Sequence, residues 1–266
     1  MKLKTISAIF LMFAFLTGFN SVRADSDFDK AILKGKKTLK EGMDKSDASV
    51  LKKARGQFER ILQLKQQPWL VNYYIALADY GLATTGMRTE DKETIKKYTE
   101  SGIDVINKSI DENPDFCDSY VLLESLNFNR WQYEQEKMQE IITATQSADA
   151  MAKKLEANNP RYVLVTGISQ FYTPEAFGGG IKTAIPTLEK SAELFKTRQE
   201  KSELYPDWGY DLALGYLALS LLKRNDDGDM SKAKDLIDEA LKINPDSGFI
   251  SGYVQKEYKT VSSDSK

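Results

Sequence analysis

The chain has 266 residues, with 37 Lys and Arg against 39 Asp and Glu, one cysteine and no histidine. Without histidine and with a single cysteine, it cannot form Ser-His or Cys-His nucleophile pairs or the common zinc and non-haem iron sites. The composition therefore predicts a protein that is not an enzyme and that carries no metal or cofactor. The balanced charge gives no reason to expect nucleic acid or anionic lipid as a partner.

The first 24 residues have the pattern of a secretory signal peptide. Lys2 and Lys4 precede an apolar run over residues 6–19, and Ala24 stands directly before a charged stretch. The apolar run is shorter than the ~20 residues that a membrane span needs. We expect cleavage after Ala24 and an exported protein, periplasmic or secreted from a bacterial envelope, with no stable membrane anchor.

Apolar residues recur at spacings of three and four along the rest of the chain, and no segment alternates as a strand does. This pattern predicts an all-α helical repeat domain over residues 25–260, followed by a disordered polar tail over 261–266. The predicted helices cover 27–43, 48–66, 69–86, 91–112, 115–133, 136–158, 161–172, 181–204, 207–224, 230–243 and 247–259. The single Cys117 permits no disulfide within the chain, so we expect it to be a buried apolar residue.

Four prolines stand at equal intervals of 46 residues: Pro68, Pro114, Pro160 and Pro206. Each opens a stretch rich in Tyr, Leu and Ala, and each is expected in the first turn of a helix, where its missing amide proton is not needed. Repeats of this length are typical of solenoids, in which a unit buries its apolar face only against its neighbours.

Small residues recur inside these units at the spacing of a known repeat. Ala233, Ile237, Ala240 and Pro245 are separated by four, three and five residues. The same spacing recurs at Gly102, Ile106, Ser109 and Pro114, and at Ala148, Ala152, Leu155 and Pro160. This pattern resembles the second helix of the tetratricopeptide repeat (TPR). The resemblance implies an α-solenoid of TPR-like helical hairpins, with second helices longer than standard because a TPR unit has only about 34 residues. HEAT and armadillo repeats, which have a period closer to 46, remain the second interpretation.

The segment over residues 172–183 interrupts this rhythm with one proline and three glycines. Its composition predicts a turn between two helices. The sequences Phe177-Gly-Gly-Gly180 and Pro206-Asp-Trp-Gly209 also resemble the T component associated with TRAP transporters, although Gly180 stands where that family has a helix-capping Asp. That resemblance implies a pocket for an apolar ligand and association with a solute-binding protein.

If the units stack as TPRs do, side chains near positions four, seven, eleven and fourteen after each proline face the concave side. This geometry predicts a mixed polar and aromatic lining, which suits a peptide or a small organic ligand better than a polyanion. The candidate ligand-binding or partner-binding residues are Asn72, Asp79, Asp118, Ser125, Phe128, Gln170, Tyr210 and Tyr216, together with Phe177 of the turn.

Glu124 falls where the repeat expects a small residue packed against the partner helix. A carboxylate there needs a cation such as Arg130 or Arg161, or else a raised pKa. If Glu124 faced one cleft together with Asp79, the two could support carboxylate chemistry of the glycosidase kind.

Three functions are compatible with the sequence. The first is a noncatalytic exported scaffold that binds a protein or peptide. The second is a periplasmic binder of a small apolar ligand, accessory to a transport system. The third is a carboxylate enzyme. The sequence leaves open whether the stack is an open arc or closes around a pocket.

Overall fold

The computed structural model describes residues 27–264, so the predicted signal peptide and the last two residues lie outside the described part. Within that part the chain forms eleven α-helices and no strand, which confirms the all-α prediction. Their bounds are α1 Asp27–Lys45, α2 Ala48–Leu62, α3 Pro68–Arg88, α4 Lys92–Glu112, α5 Cys117–Asn129, α6 Met138–Glu156, α7 Pro160–Tyr172, α8 Ile181–Thr197, α9 Tyr210–Arg224, α10 Asp229–Ile243 and α11 Gln255–Asp264. A π-helical turn, Ile250–Val254, leads into α11, which extends past residue 261 and makes the described part of the predicted tail helical.

Consecutive helices pair as antiparallel hairpins, α1 with α2 through α9 with α10. The odd-numbered helices also contact one another in order, so they form an inner layer and the even-numbered helices an outer one. α3 is buried around nearly its whole circumference, as an inner helix should be, whereas α2, α4 and α10 each bury one apolar stripe. This is the predicted solenoid of TPR-like hairpins.

The 46-residue period is accommodated in two ways. α4 has 21 residues and α6 has 19, so these second helices are long, as predicted. In the fourth unit the second helix, α8, stops at Thr197, and the additional residues form an irregular segment over 198–209 that we call the inner segment. Pro68 and Pro160 begin helices as expected, but the prediction was wrong for Pro114, which lies in a turn, and for Pro206, which lies in the inner segment.

Small residues in the second helices allow close packing against the first helices. A Cβ added at Gly102 would lie 2.8 Å from a methyl group of Leu126. Ser109 and Ser191, at equivalent positions of two units, donate hydroxyl hydrogen bonds to the backbone carbonyls of Trp69 and Pro160, at 2.8 and 2.9 Å. The residues at the TPR-like spacing therefore lie where two helices are in contact.

The stack closes on itself, because its first helix touches its last unit. Lys40 of α1 donates to the side chain of Asn244 at 2.6 Å, and Asn244 in turn donates to Asp44 of α1 at 2.9 Å. Lys36 of α1 donates to two backbone carbonyls of the inner segment, those of Glu203 and Tyr205, at 2.6 Å each. In the described part of the chain, polar side-chain contacts therefore link the first helix to the last unit and to the inner segment.

Cys117 lies in a small core between α5, α6 and α7, where it is buried as predicted. Its thiol donates to the carbonyl of Ala152 at 3.4 Å, and burial raises its pKa to about 12. A thiol in this state is unreactive at neutral pH. None of the helices over residues 27–264 is both long and apolar enough to cross a membrane.

Candidate binding site

The inner segment occupies the groove between the first helices of the solenoid. Leu204 is buried in the main core, and its carbonyl accepts a hydrogen bond from the Tyr74 hydroxyl at 2.6 Å. The indole nitrogen of Trp208 donates to the Tyr73 hydroxyl at 2.8 Å. The ring of Tyr205 packs edge-on against the aromatic core of α3. The surface on which TPR-like stacks would expose a concave groove is thus filled by this chain's own residues near the beginning of α3.

A buried ion network holds the inner segment in place. Arg161 of α7 is 1% exposed and donates to Asp118 of α5 at 2.5 Å and to Glu200 of the inner segment at 2.6 Å. Arg198 also donates to Glu200, at 3.0 Å. Asp118, predicted as a binding residue, is therefore a buried ion-pair partner.

Three further predicted residues also serve packing. Asn72 is buried in α3. Asp79 is fully buried, accepts hydrogen bonds from Arg55 at 2.6 Å and from Ser101 at 2.7 Å, and has a pKa raised chiefly by burial. Tyr210 faces the outer helices, where it donates to Glu239 at 2.7 Å and stacks on a phenylalanine of α8. The concave lining expected from these three positions does not form, because Asn72 is buried, and Asp79 and Tyr210 are hydrogen-bonded to residues of the outer helices.

Three other predicted residues are half-buried on inner helices. The Ser125 hydroxyl donates to the carbonyl of Val121 in its own helix at 3.0 Å, and Phe128 lies one turn further along α5. Gln170 has a buried side-chain oxygen with no hydrogen-bond partner. None of the three takes part in the ring contacts described next.

Aromatic rings from several parts of the chain meet near the end of α7. Phe171 lies 5.0 Å from Tyr172 and 5.7 Å from Tyr216, measured between ring centroids. Tyr216 lies 5.0 Å from Phe249, which in turn lies 6.0 Å from Tyr253. These contacts join α7, α9, the π-helical turn and the residue before that turn, and Tyr80 of α3 lies near enough for its charge to raise the pKa of Tyr216. We call this group the aromatic cleft, and its members are Tyr80, Phe171, Tyr172, Tyr216, Phe249 and Tyr253.

The side chains of the aromatic cleft differ in how far they are exposed. Tyr172 and Tyr253 are 55% and 46% exposed and form its rim. Tyr80 and Tyr216 are partly exposed, yet burial raises the pKa of Tyr80 and raises that of Tyr216 well above its usual value. Tyr172 further raises both pKa values through its charge. Tyr80 and Tyr216 therefore lie deeper in the group than Tyr172 and Tyr253 do.

A cation stands at one side of the cleft. The amine of Lys223 lies 4.1 Å from the centroid of the Phe171 ring, within the range of a cation–π interaction. The cleft thus combines apolar rings, phenol hydroxyls that donate hydrogen bonds, and one positive charge.

The turn over residues 172–183 has the geometry that its glycines predict. Gly178 and Gly180 have φ values of 84° and 91°, which favour glycine, and the amide of Gly180 donates to the carbonyl of Gln170 at 2.8 Å. Phe177 projects from this turn and is 82% exposed. It lies outside the ring contacts of the aromatic cleft, so its predicted role in binding stays a prediction.

Of the nine predicted binding residues, only Tyr216 belongs to the aromatic cleft. A signal for two others was present in the sequence, since Tyr80 and Tyr172 each stand twelve residues after a repeat proline, Pro68 and Pro160. The four positions used for the prediction omit that place in the repeat. Tyr253, which the π-helical turn adds to the group, has no equivalent position in the repeat pattern.

Glu124 has no cation beside it. Arg130 pairs with Glu134 and Glu140, and Arg161 is taken by the network described above. Glu124 is 5% exposed, one of its carboxyl oxygens has no hydrogen-bond partner, and burial, followed by the charge of Asp149, raises its pKa to about 8. Of the two alternatives for Glu124, the structure favours the raised pKa over the ion pair.

The proposed partnership of Glu124 with Asp79 finds no support in the contacts. Asp79 is bound by residues of α2 and α4, whereas Glu124 interacts electrostatically with Asp149 of α6 and with Tyr162 of α7. The two carboxyl groups therefore point to different neighbours. In the described part of the chain, no group of three or more acidic or cysteine side chains could hold a metal ion.

Two depressions elsewhere on the surface are poorer candidates. One, of about 650 Å³, lies over α4 and is lined mainly by exposed lysines and acids between Glu93 and Lys108. The other, of about 430 Å³, lies between the beginnings of α2 and α4 and the end of α3, and most of its lining is polar. Ligand sites are mostly apolar and aromatic with few polar groups, which favours the aromatic cleft.

Comparison with solved structures shows the same fold in two proteins. The HusA haemophore from Porphyromonas gingivalis superposes with a TM-score of 0.62 at 21% identity, over 73% of this chain and 93% of that one. A thermophilic TPR protein from Thermus thermophilus superposes with a TM-score of 0.51 at 16% identity, over 84% of this chain and 98% of that one. At these identities the likeness shows the TPR-like fold alone.

No protein-family model and no curated protein matches the chain. The resemblance to the T component therefore gains no support.

Proposed function

We propose that this protein is an exported, noncatalytic binding protein that holds a small, flat, apolar ligand in the aromatic cleft. The observation that carries the proposal is the cleft itself, in which recessed Tyr80 and Tyr216 lie behind the exposed rings of Tyr172 and Tyr253. The exposed rings of Tyr172, which packs edge to face on Phe171, and of Tyr253 offer stacking surfaces to a flat ligand, and the phenol hydroxyls offer hydrogen-bond donors.

The inner segment favours a small ligand over an extended peptide. A peptide bound along the inner helices would have to displace Leu204 from the core and break its hydrogen bond with Tyr74. A ligand in the aromatic cleft needs no such displacement, since Tyr172 and Tyr253 are already half exposed.

One structural neighbour is titled a haemophore, and a porphyrin is therefore a suitable first probe. The chain has no histidine and Cys117 is buried, so a haem iron would need a different protein ligand. Tyrosine serves as an axial ligand in some haem proteins, and Tyr172 is exposed enough to supply one. Binding of the metal-free porphyrin would test the cleft without any bond to iron.

The test is fluorescence titration of the purified chain with protoporphyrin IX and with the neutral dye N-phenyl-1-naphthylamine. The variants are Tyr172→Ala and Tyr253→Ala, and the control is Leu64→Ala, which removes a side chain that is 50% exposed at the end of α2. Each aromatic contact contributes on the order of 1 kcal/mol, so each cleft variant should bind at least one of the two probes about threefold to tenfold more weakly. Non-saturable binding of both, or equal affinity in all variants, would overturn the proposal.

A protein partner is the second candidate, favoured by the exposure of Tyr172, Tyr253 and Phe177, because exposed aromatic side chains frequently dominate protein interfaces. Crosslinking in the native cell envelope, followed by comparison of the wild type with Phe177→Ala and Tyr253→Ala, tests it. A specific crosslinked protein that is lost in both variants would favour this candidate. Fractionation of the same cells into cytoplasm and envelope shows whether the chain is exported.

A further inference from the structure

We propose that the ligand of the aromatic cleft carries a negative charge that Lys223 binds. This inference rests on the proposed function and adds the chemical class of the ligand, a flat apolar body with an acidic group such as a carboxylate or a sulfonate. It assigns Lys223 as the residue that determines this specificity.

The first observation is that Lys223 has no acidic partner. Among the described residues it forms no salt bridge, and its amine lies over the Phe171 ring at 4.1 Å. The neighbouring Arg224, by contrast, is neutralised by Asp226 at 3.2 Å and Asp229 at 2.6 Å. A cation held against an aromatic ring keeps its charge available for a ligand that stacks beside that ring.

The second observation is the place of Lys223 on α9. It stands seven residues after Tyr216, which is two helical turns, so the two side chains lie on the same face of the helix. Both contact the same ring, since Phe171 lies 5.7 Å from Tyr216 and 4.1 Å from the Lys223 amine. A flat ligand on Tyr216 and Tyr172 would bring an acidic substituent within reach of that amine.

The charges around the cleft also determine the orientation of a bound anionic ligand. Glu257 lies on the Tyr253 side, where its charge contributes, after burial and Tyr172, to the raised pKa of Tyr253. An anionic ligand is therefore attracted at the Lys223 side and repelled at the Glu257 side, so its acidic group should point toward α9.

The test uses two dyes with the same aromatic body, one anionic and one neutral. These are 1-anilinonaphthalene-8-sulfonate and N-phenyl-1-naphthylamine. Lys223→Gln should weaken binding of the sulfonate about twofold to fivefold, the effect of one partly exposed ion pair, and should leave the neutral dye unchanged. Lys223→Glu should weaken it further, and salt should weaken the sulfonate alone. The control is Lys190→Gln, which removes an exposed charge on α8.

The outcomes separate this inference from the proposed function. If both dyes bind with saturation and Tyr172→Ala weakens both, but Lys223→Gln changes neither or changes both equally, the cleft is a binding site and the charge assignment is overturned. If neither dye binds with saturation, or Tyr172→Ala has no effect on either, both proposals fail. Lys223 is exposed, so its variants should unfold at the wild-type temperature by circular dichroism.

Discussion

The buried carboxyl group of Glu124 should make the stability of this protein fall as the pH rises. Glu124 lies among α5, α6 and α7 with no cation, and its nearest charge effect comes from another acid, Asp149. The folded state therefore holds the proton on Glu124 more tightly than the unfolded state does. A proton bound more tightly in the folded state stabilises it at low pH, and this advantage is lost between the unfolded and the folded pKa.

The size of the effect follows from the two pKa values. The pKa of Glu124 is 4.5 in the absence of the fold and about 8 in the folded protein. Because one pKa unit corresponds to about 1.4 kcal/mol, the free energy of unfolding should fall by about 3 kcal/mol between about pH 5 and about pH 7.5. Glu124→Gln removes the titration and resembles the protonated side chain, so this variant should lack that loss.

Urea unfolding followed by circular dichroism at about pH 5, 6 and 7.5 measures the difference. Glu124→Gln should gain about 3 kcal/mol over the wild type between the lowest and the highest pH, or about 6 to 12 °C in melting temperature for a chain of this size. Glu112→Gln, at an exposed position of α4, is the control and should follow the wild type. If the wild type and Glu124→Gln differ by the same free energy at all three pH values, the carboxyl group is not protonated in the fold and the reasoning is wrong.

Two further substitutions test the contacts that hold the inner segment. Arg161→Met leaves the buried Asp118 without its cation and should lower the free energy of unfolding by about 3 to 5 kcal/mol; thermal melting measures it, and a loss under about 1 kcal/mol would contradict the network. Gly209→Ala combines a φ of 117° with a Cβ that would lie 2.7 Å from the Phe195 ring, and should destabilise by more than about 2 kcal/mol. Gly228→Ala, with a φ of 83° and no atom within 4 Å, is its control and should cost about 1 kcal/mol; equal losses would mean that the Phe195 contact has no effect.

The fold class was predictable because its determinants are local. Small residues at spacings of four and three, as at Ala233, Ile237 and Ala240, fix where two neighbouring helices approach, and all three are buried. Pro68 and Pro160 mark helix starts through their own backbone geometry. The end of α8 at Thr197 was not predictable in this way, because its continuation carries helical spacing and is held out of a helix by contacts with distant residues.

The candidate site was predicted much less well, and the reason is the winding of the stack. Positions on the concave side were assigned as if that side were open. Asn72 and Asp118 are on inner helices, as expected, but the inner segment and its ion network fill the groove there, so they are buried. Tyr216 was found because it stays partly exposed beside Tyr172, which ends α7.

The sequence by itself therefore determined the helices, their pairing into TPR-like hairpins and the lack of histidine chemistry, all of which depend on residue types and on spacings within one unit. Only the tertiary structure decided that α1 meets the last unit, that residues 198–209 fill the groove, and that rings as distant in sequence as Tyr80 and Tyr253 belong to one cleft. The physical reason is that the curvature of a solenoid is the sum of small rotations between successive units. Each rotation depends on side-chain packing at the interface between two units, and the sequence pattern within one unit does not reveal the sum of these rotations.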